Sequence, residues 1–530
     1  MKKLLLSVLC TTAVIVTACN AQKSVNNSNM TETSQTANNA KKNILFIAID
    51  DLKPLLSNYG ETQMITPNFD RLAKMGMTFT NAHVQYAVCG PSRASVMTGA
   101  NPDKTKVWDL HTDFRESAPN LVSMPEYLIS QGYETTAVGK IYHKGSSSKG
   151  HDGKSWSMPH QLPNNFDPAY GEAAFSYYQN PETKRKMEQL TEEAKAKGIT
   201  RSGKIRNYVF KRLKPATESA DVSDTAYQDG LYTQTALQQL DVLEKSGKPW
   251  FLGVGYQKPH LPFVAPKKYW DLYDRDKIEL AKFQQVAEGT PKFAYHSFGE
   301  LRAFSDIDND LRVGDKVPEA KQRELIHGYM ACISYIDAQL GKLLDDLERR
   351  GILEDTVIVL WGDHGWHLGD HTEWCKHSNF EQATRIPFMF AGPKVAKNQK
   401  SDHPVNLVDL FPTVFELANV SQHPQTDGKS LVPLLDSNPK TNIDMDYAYH
   451  QYRRGKRMGY SIRTDRYRYT EWHNDDYRSY EAYNGNNIVG RELYDYEADP
   501  LETKNWVKDA KYAAIVKELK AKLKAHLSKQ

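Results

Sequence analysis

Asn43-Ile44-Leu45-Phe46-Ile47-Ala48-Ile49-Asp50-Asp51 is the stretch from which the architecture follows. Its apolar run does not alternate with polar residues and is rich in branched side chains. That is the pattern of a parallel strand buried on both faces, and it predicts an α/β sheet. The run ends abruptly in two adjacent carboxylates, which repel each other and are costly at a buried position without a cation. A second junction of the same kind lies far downstream, where Thr356-Val357-Ile358-Val359-Leu360-Trp361 runs into Gly362-Asp363-His364-Gly365. Sites in α/β sheets form at the carboxyl ends of the strands. Three carboxylates and an imidazole at two such ends make a divalent-metal site, with calcium or magnesium favoured by the oxygen-rich donors. Either pair alone reads more simply as a surface turn or a helix cap.

Two further short strands are predicted. Tyr133–Val138 ends in Gly139-Lys140-Ile141-Tyr142-His143, and Trp250–Tyr256 ends in Gln257-Lys258-Pro259-His260-Leu261-Pro262-Phe263. After the second metal junction comes Glu373-Trp374-Cys375-Lys376. A lone Lys or His after a strand is more often solvated than functional. Met77–Tyr86 reads as a half-buried strand, followed by Cys89-Gly90-Pro91-Ser92-Arg93 and then Thr98-Gly99. A buried structural thiol in a turn is the default for an isolated cysteine.

Composition sets wide bounds. The 530 residues suffice for one large core with a smaller lobe, and the apolar (40%) and charged (25%) fractions are those of an ordinary globule. A net charge of +3 gives no reason to invoke nucleic acid. Lys2-Lys3, the apolar Leu4–Val16 and the Val16-Thr17-Ala18-Cys19 site read as a signal peptide over residues 1–18 with a bacterial lipobox. Cleavage before Cys19 and lipidation of its sulfur are expected, followed by a polar tether over 19–42. The expectation is an exported protein, lipid-anchored to the cell envelope at the periplasm, outer membrane or cell surface. Beyond Cys10, Cys19 and Cys89, only Cys332 and Cys375 remain, and export permits but does not require their pairing.

The rest reads as scaffold. Helices are expected at Val122–Gln131, with Ser123 and Pro125 at its start, at Glu319–Arg350 and at Val405–Leu417. Lys184–Lys214 is basic without a clean period and reads as a solvated helical face, with an insertion shaping a pocket mouth as the alternative. A main domain over 43–440 and a C-terminal subdomain over 441–530 are expected. The latter would hold a small antiparallel sheet and a helix from about Lys511. Its Tyr452-Arg453-Arg454-Gly455-Lys456-Arg457, with Arg466 and Arg468, would suit an anionic sugar or, equally, an edge protected by charge.

The order of these pieces (D-D, C-x-P-S-R, G-K-x-x-H, K-P-H-x-P-F, G-D-H-G and a late Lys) resembles that of the type I, formylglycine-dependent sulfatases. Ile49–Pro54, Val254–Phe263, Gly362–Trp366, Glu373–Lys376, Gly459–Thr464 and Glu492–Tyr494 are closest to the iduronate-2-sulfatase branch. The resemblance implies an alkaline-phosphatase-like fold: a large mixed sheet flanked by helices, with a smaller C-terminal α+β subdomain. It implies that a formylglycine-generating or anaerobic maturation enzyme oxidises Cys89 to formylglycine, whose hydrate attacks sulfur. Asp50, Asp51, Asp363, His364 and residue 89 would hold Ca2+, or less favourably Mg2+. An imidazole is an unusual calcium ligand, so His364 leaves the ion less certain than its place. Arg93 would stabilise the diol. Lys140, His260 and Lys376 would grip the sulfate, one of them protonating the leaving oxygen, and His143 would act on the second hydroxyl. The implied substrate is a sulfated oligosaccharide or polysaccharide, with uronate 2-O-sulfates of glycosaminoglycan fragments or ulvan as candidates. The alternatives are a phosphate or phosphonate monoester hydrolase of the same fold, a choline- or aryl-type sulfatase, and a non-catalytic surface glycan-binding lipoprotein.

Overall fold

The structure, a computed structural model, describes residues 40–147, 150–163, 177–437, 445–479 and 483–529. The signal segment, Cys19 and nearly all of the tether lie outside the described residues. No helix among the described residues is long and apolar enough to cross a membrane.

A mixed sheet forms the centre. Its strands are β1 (Asn43–Ile49), β2 (Gly76–His83), β3 (Glu134–Gly139), β4 (Trp250–Tyr256), β5 (Thr356–Gly362), β6 (Arg385–Ala391), β7 (Gln399–Ser401) and β8 (Val405–Asn406). They run in the order β7-β2-β6-β5-β1-β4-β3, with β8 also on β2. All neighbours are parallel except β6, which is antiparallel to both β2 and β5. The unbroken apolar run of β1 has the expected cause. Leu45, Ile47 and Ile49 face a core shared with the long helices Gln228–Ser246 and Glu319–Arg350. Ile44, Phe46 and Ala48 face a second core closed by Cys89–Thr98, Met124–Ser130 and Leu410–Leu417.

Several local expectations are met in detail. Ser123 caps its helix in a reciprocal box with Glu126, and Pro125 lies in the first turn. Glu319–Arg350 is one continuous helix. Others are corrected. β2 is buried almost throughout rather than on one face, because it lies between β6 and β7/β8 with both faces covered. Its polar Asn81 and His83 are absorbed by hydrogen bonds to each other, to Asp402 and to Thr384. Only the last part of Val405–Leu417 is α-helical, the first residues being β8 and a 3-10 turn. Lys184–Lys214, by contrast, is the solvated helical face expected of it, lying mainly on two largely exposed helices, Pro181–Ala196 and Ser202–Phe210.

Beyond residue 445, strands Ala448–Arg454, Arg457–Arg463, Tyr467–His473 and Ile488–Asp495 form an antiparallel sheet in sequence order. The helix Ala513–Leu527 lays Leu519 and Leu523 on Tyr449, Ile462, Tyr469 and Leu493 of that sheet. Cys332 and Cys375 are free and buried.

Candidate active site at the carboxyl ends of the central strands

The three central strands end together. Asp50 N–H donates to the Tyr256 carbonyl at 3.1 Å and Asp363 N–H to the Ile49 carbonyl at 3.1 Å, so the parallel ladder sets Asp50, Asp51 and Asp363 side by side. Asp51 then turns into the left-handed region (φ 60°), with its amide donating to Asp363 Oδ1 at 2.9 Å. All three carboxylates are buried.

Cys89 is not in a loop. It is the first residue of the helix Cys89–Thr98, and its position at the N-terminus aims Sγ at the strand ends. Gly90 fits because a Cβ there would come within 3.0 Å of the Asp109 carbonyl. One turn on, Arg93 is fully buried and bridges the two junctions. Its Nε donates to Asp363 Oδ2 at 2.8 Å and its Nη2 to Asp50 Oδ1 at 3.0 Å. Nη1 is occupied by the carbonyls of Lys140 and Ile141. Charge-assisted contact with two carboxylates and two carbonyls makes Arg93 a rigid strut rather than a mobile cation.

Cys89 Sγ lies 3.2 Å from His364 Nε2 and 3.9 Å from Asp51 Oδ1. His364 Nδ1 lies 3.0 Å from the Gly365 carbonyl, which can only accept, so Nδ1 carries a hydrogen. Nε2 faces Asp51 Oδ1 (3.2 Å) and the sulfur, where it can serve as a ligand atom once it carries no proton. Asp50, Asp51, Cys89 and His260 form one group of donor atoms within 4.8 Å of one another, and Cys89, Asp363 and His364 form a second that shares the sulfur. All five expected metal ligands thus meet around Cys89, and the donor set suits a divalent cation.

The cations surround this centre. Lys140 Nζ pairs with Asp50 Oδ2. Lys376 Nζ reaches Asp51 at 3.1 Å and Glu300 at 2.9 Å. His260 Nε2 is 3.1 Å from Glu300 and 4.0 Å from Asp51, while its Nδ1 is 2.7 Å from the Leu261 carbonyl. His143 lines the same cavity without contacting Cys89, and its Nδ1 accepts the Gly145 amide at 3.2 Å.

The charges set each group's proton affinity. Burial would push Asp50 up, but Lys140 and Arg93 beside it hold its carboxyl well below the usual range. Burial pushes Asp51 up to about 7, only partly opposed by Lys376 and His364. Burial, reinforced by Asp50, raises the Cys89 thiol well above its ordinary value. A thiol so placed stays protonated and is a poor nucleophile. Burial and then Lys140 push His143 down to about 3, and burial with Lys376 takes His260 to about 4.

Glu300 was not expected. Burial opposes its ionisation, yet Lys376 and His260 bring it down to about 2. It comes from a stretch with no motif or period, so nothing in the sequence marked it. The site opens into a cavity of about 880 Å3 whose far wall carries Tyr177, Phe210, Lys214 and Phe304. None of the C-terminal arginines singled out for an anionic sugar lines it. Arg454 is bonded to the carbonyls of Ala294, Tyr295 and His377, Arg468 pairs with Glu381 and Glu502, and Arg466 pairs with Asp495. Those residues hold the subdomain in place.

Known proteins resemble this chain in sequence and in fold. The sulfatase family profile matches residues 42–420, and that of the N-sulphoglucosamine sulphohydrolase C-terminal region matches 369–529. Iduronate 2-sulfatase of Mus musculus is 33% identical, the alignment covering 90% of this chain and 93% of that protein. A sulfatase of Formosa agariphila is 30% identical over 91% of this chain and 86% of that one. Among solved structures, one of a protein in complex with D-glucosamine-2-N,6-O-disulfate superposes with a TM-score of 0.68 at 22% identity, covering 92% of this chain and 97% of the other. The phosphonate monoester hydrolase of Agrobacterium radiobacter also gives 0.68, at 19% identity, covering 92% and 95% of the two chains, so the shared architecture spans more than one chemistry. Sequence likeness across the whole catalytic region decides between them: the chain belongs to the sulfatase family and is a sulfuric ester hydrolase.

Proposed function

We propose that the protein removes sulfate esters from anionic sugars at the ends of oligosaccharides, with a uronate 2-O-sulfate of glycosaminoglycan or ulvan origin as the substrate class. Cys89, oxidised to formylglycine by a maturation enzyme, is the catalytic residue. The observation that carries this reading is the position of Cys89. Its sulfur is buried at a helix N-terminus, 3.2 Å from His364 Nε2, among three carboxylates and within reach of three cationic side chains. Such a thiol is held neutral, which argues against direct thiolate chemistry and favours a modified side chain. The 33% identity to a protein named iduronate 2-sulfatase supports the uronate 2-sulfate.

Asp50, Asp51, Asp363 and His364, with an oxygen of the modified residue 89, would hold the divalent cation. Calcium is the first choice from the oxygen-rich set and magnesium the second. When bound, it supplies positive charge to sulfate oxygens and to the attacking oxygen. The hydrated aldehyde supplies two hydroxyls, one to displace the sugar oxygen from sulfur and the other to let sulfate depart as the aldehyde re-forms. Arg93 steadies this centre by fixing Asp50 and Asp363. Lys140 and Lys376 face the sulfate from two sides. One of Lys140, Lys376 and His260 protonates the leaving sugar oxygen; His260, whose Nδ1–H is committed to Leu261, does so only as the imidazolium, with a second proton on Nε2 beside Glu300. His143, kept neutral by burial, takes the proton of the second hydroxyl, for which its Nε2 must be bare and the 3.2 Å Gly145 contact must yield. Glu300 positions Lys376 and His260. Export and lipid attachment through Cys19 would place this activity at the cell envelope, where large sulfated polymers are met.

The test is sulfate release from a panel of defined oligosaccharides and from aryl sulfate against aryl phosphate, using protein whose residue 89 is shown to be formylglycine. Preference for the 2-O-sulfated uronate is expected. A clear preference for phosphate would overturn the assignment.

A further inference from the structure

Lys214 differs from Lys140 and Lys376 in lacking a carboxylate partner, and from Lys144, which also lines the cavity, in being half-buried rather than exposed. Lys140 and Lys376 are committed to Asp50 and to Asp51 with Glu300, whereas Lys214 has no carboxylate within ion-pair distance among the described residues. It is half-buried nonetheless. Its backbone is clamped: Lys214 N–H donates to Ser305 Oγ at 2.7 Å and Ser305 N–H returns to the Lys214 carbonyl at 2.9 Å. Its Nζ sits 4.1 Å from the centre of the Phe304 ring and 5.8 Å from that of Phe210. Aromatic faces of this kind hold an ammonium in place and strip part of its water without neutralising it. Burial accordingly lowers its proton affinity, with Glu300 the one charge opposing that effect. The neighbouring Lys211, by contrast, is exposed.

The clamp also fixes where Lys214 stands relative to the sulfate grip. Glu300, which touches Lys376 and His260, and Phe304, which carries Lys214, flank the 3-10 turn Leu301–Ala303. At about 2 Å rise per residue, that turn separates the two by on the order of 8 Å. This is about the reach across one sugar ring. Both ends line the same cavity, together with Tyr177.

We propose that Lys214 binds a second anionic group of the substrate, across the sugar ring from the sulfate that is hydrolysed, and so selects for substrates carrying two negative charges. The group is the carboxylate of a uronic acid or a second sulfate ester. This rests on the sulfatase reading above and adds a specificity-determining residue to it. Phe210 and Phe304 contribute by keeping the ammonium poorly hydrated, so that a charge-assisted hydrogen bond donated to the substrate anion replaces little water.

The test uses the full chain with formylglycine at residue 89, as wild type and Lys214→Met, which keeps the packed stem and removes the charge. Three disaccharides are compared: a 2-O-sulfated uronate, the same molecule with its carboxyl reduced to hydroxymethyl, and that reduced molecule bearing a second sulfate ester. The wild type is expected to favour at least one doubly charged substrate over the reduced one by roughly 10- to 100-fold in kcat/KM. K214M should bring that ratio close to unity, chiefly through KM, and the substrate whose advantage disappears identifies the anion. A ratio unchanged in K214M, or no preference in the wild type, overturns the proposal. Binding of the desulfated uronate disaccharide, read by calorimetry, needs no turnover. Affinity lost in K214M supports the subsite, and equal affinity with no preference between the charged substrates rejects it. Absence of sulfate release from every substrate by the wild type would instead count against the sulfatase reading, leaving the calorimetric comparison to decide on Lys214.

Discussion

Two of the buried charge clusters among the described residues differ in what surrounds them. One gathers Asp50, Asp51, Asp363 and Glu300 with Arg93, Lys140 and Lys376 at the carboxyl ends of β1 and β5. The other gathers Arg463 and Arg468 with Glu381 and Glu502 between the C-terminal sheet and the segment after β5. The second is matched charge for charge and lines no cavity of the site. Burial would raise Glu381, but Arg463 and Arg468 hold it well below its ordinary value, so the cluster is a settled set of ion pairs. The first cannot settle: Asp51 is pushed up to about 7, four carboxylates face three cations, and the whole opens onto a cavity of about 880 Å3. Buried charge alone does not mark an active site. Unequal charge with an open side does.

The contrast can be broken at either end. Cys89→Ala should abolish sulfate release, by on the order of 10^4-fold or more, while leaving the melting temperature nearly unchanged. Arg468→Met should do the reverse. Removing one partner of a buried pair costs about 3–5 kcal/mol, so thermal stability should drop sharply while kcat per folded molecule stays the same. Loss of activity without loss of stability in Arg468→Met would erase the distinction.

Metal removal comes next in size. A chelator should lower both activity and melting temperature, and calcium should restore both. At 100-fold above Kd a bound ion stabilises by about 2.7 kcal/mol. Unchanged activity and melting after exhaustive chelation would contradict a metal held by Asp50, Asp51, Asp363 and His364. Glu300→Gln should lower kcat about 10-fold with little change in melting, since it loosens Lys376 and His260 without emptying the core. An effect confined to stability would make Glu300 a structural residue.

The strands that place the site were legible from β1, β4 and β5, because unbroken apolar runs have one physical explanation in a covered parallel sheet. The expected metal donors were legible for a related reason: paired carboxylates at the end of such a run are otherwise too costly. Glu300 and Lys214 were not. Each is fixed by contacts with chain distant in sequence (Lys376 and His260 for one, Ser305 and Phe304 for the other), and neither lies in a periodic segment. The sequence left the C-terminal arginines between two roles because basic residues between tyrosines look alike whether they meet a ligand or a backbone carbonyl. Only the fold shows that Arg454 is spent on Ala294, Tyr295 and His377.

The smallest expected effect separates the site from its supports. Glu373 lies three residues before Lys376, and burial pushes its carboxyl up to about 8. A carboxyl raised in the folded state holds a proton that the unfolded chain has released. Its stability contribution is therefore complete below about pH 4.5 and is lost as pH rises through about 8. Glu373→Gln should flatten that part of the melting-temperature profile between pH 6 and 8.5, relative to wild type. An identical slope in the two proteins would show that Glu373 is ionised throughout.

The central claim is that Cys89 works only after it ceases to be a cysteine. The direct measurement is the mass of the Cys89 peptide, set against sulfate release from the same preparations made with and without a maturation enzyme. Release should rise in proportion to the fraction of peptide carrying the aldehyde and vanish where only thiol is found. Full turnover from protein in which residue 89 remains a thiol would contradict it.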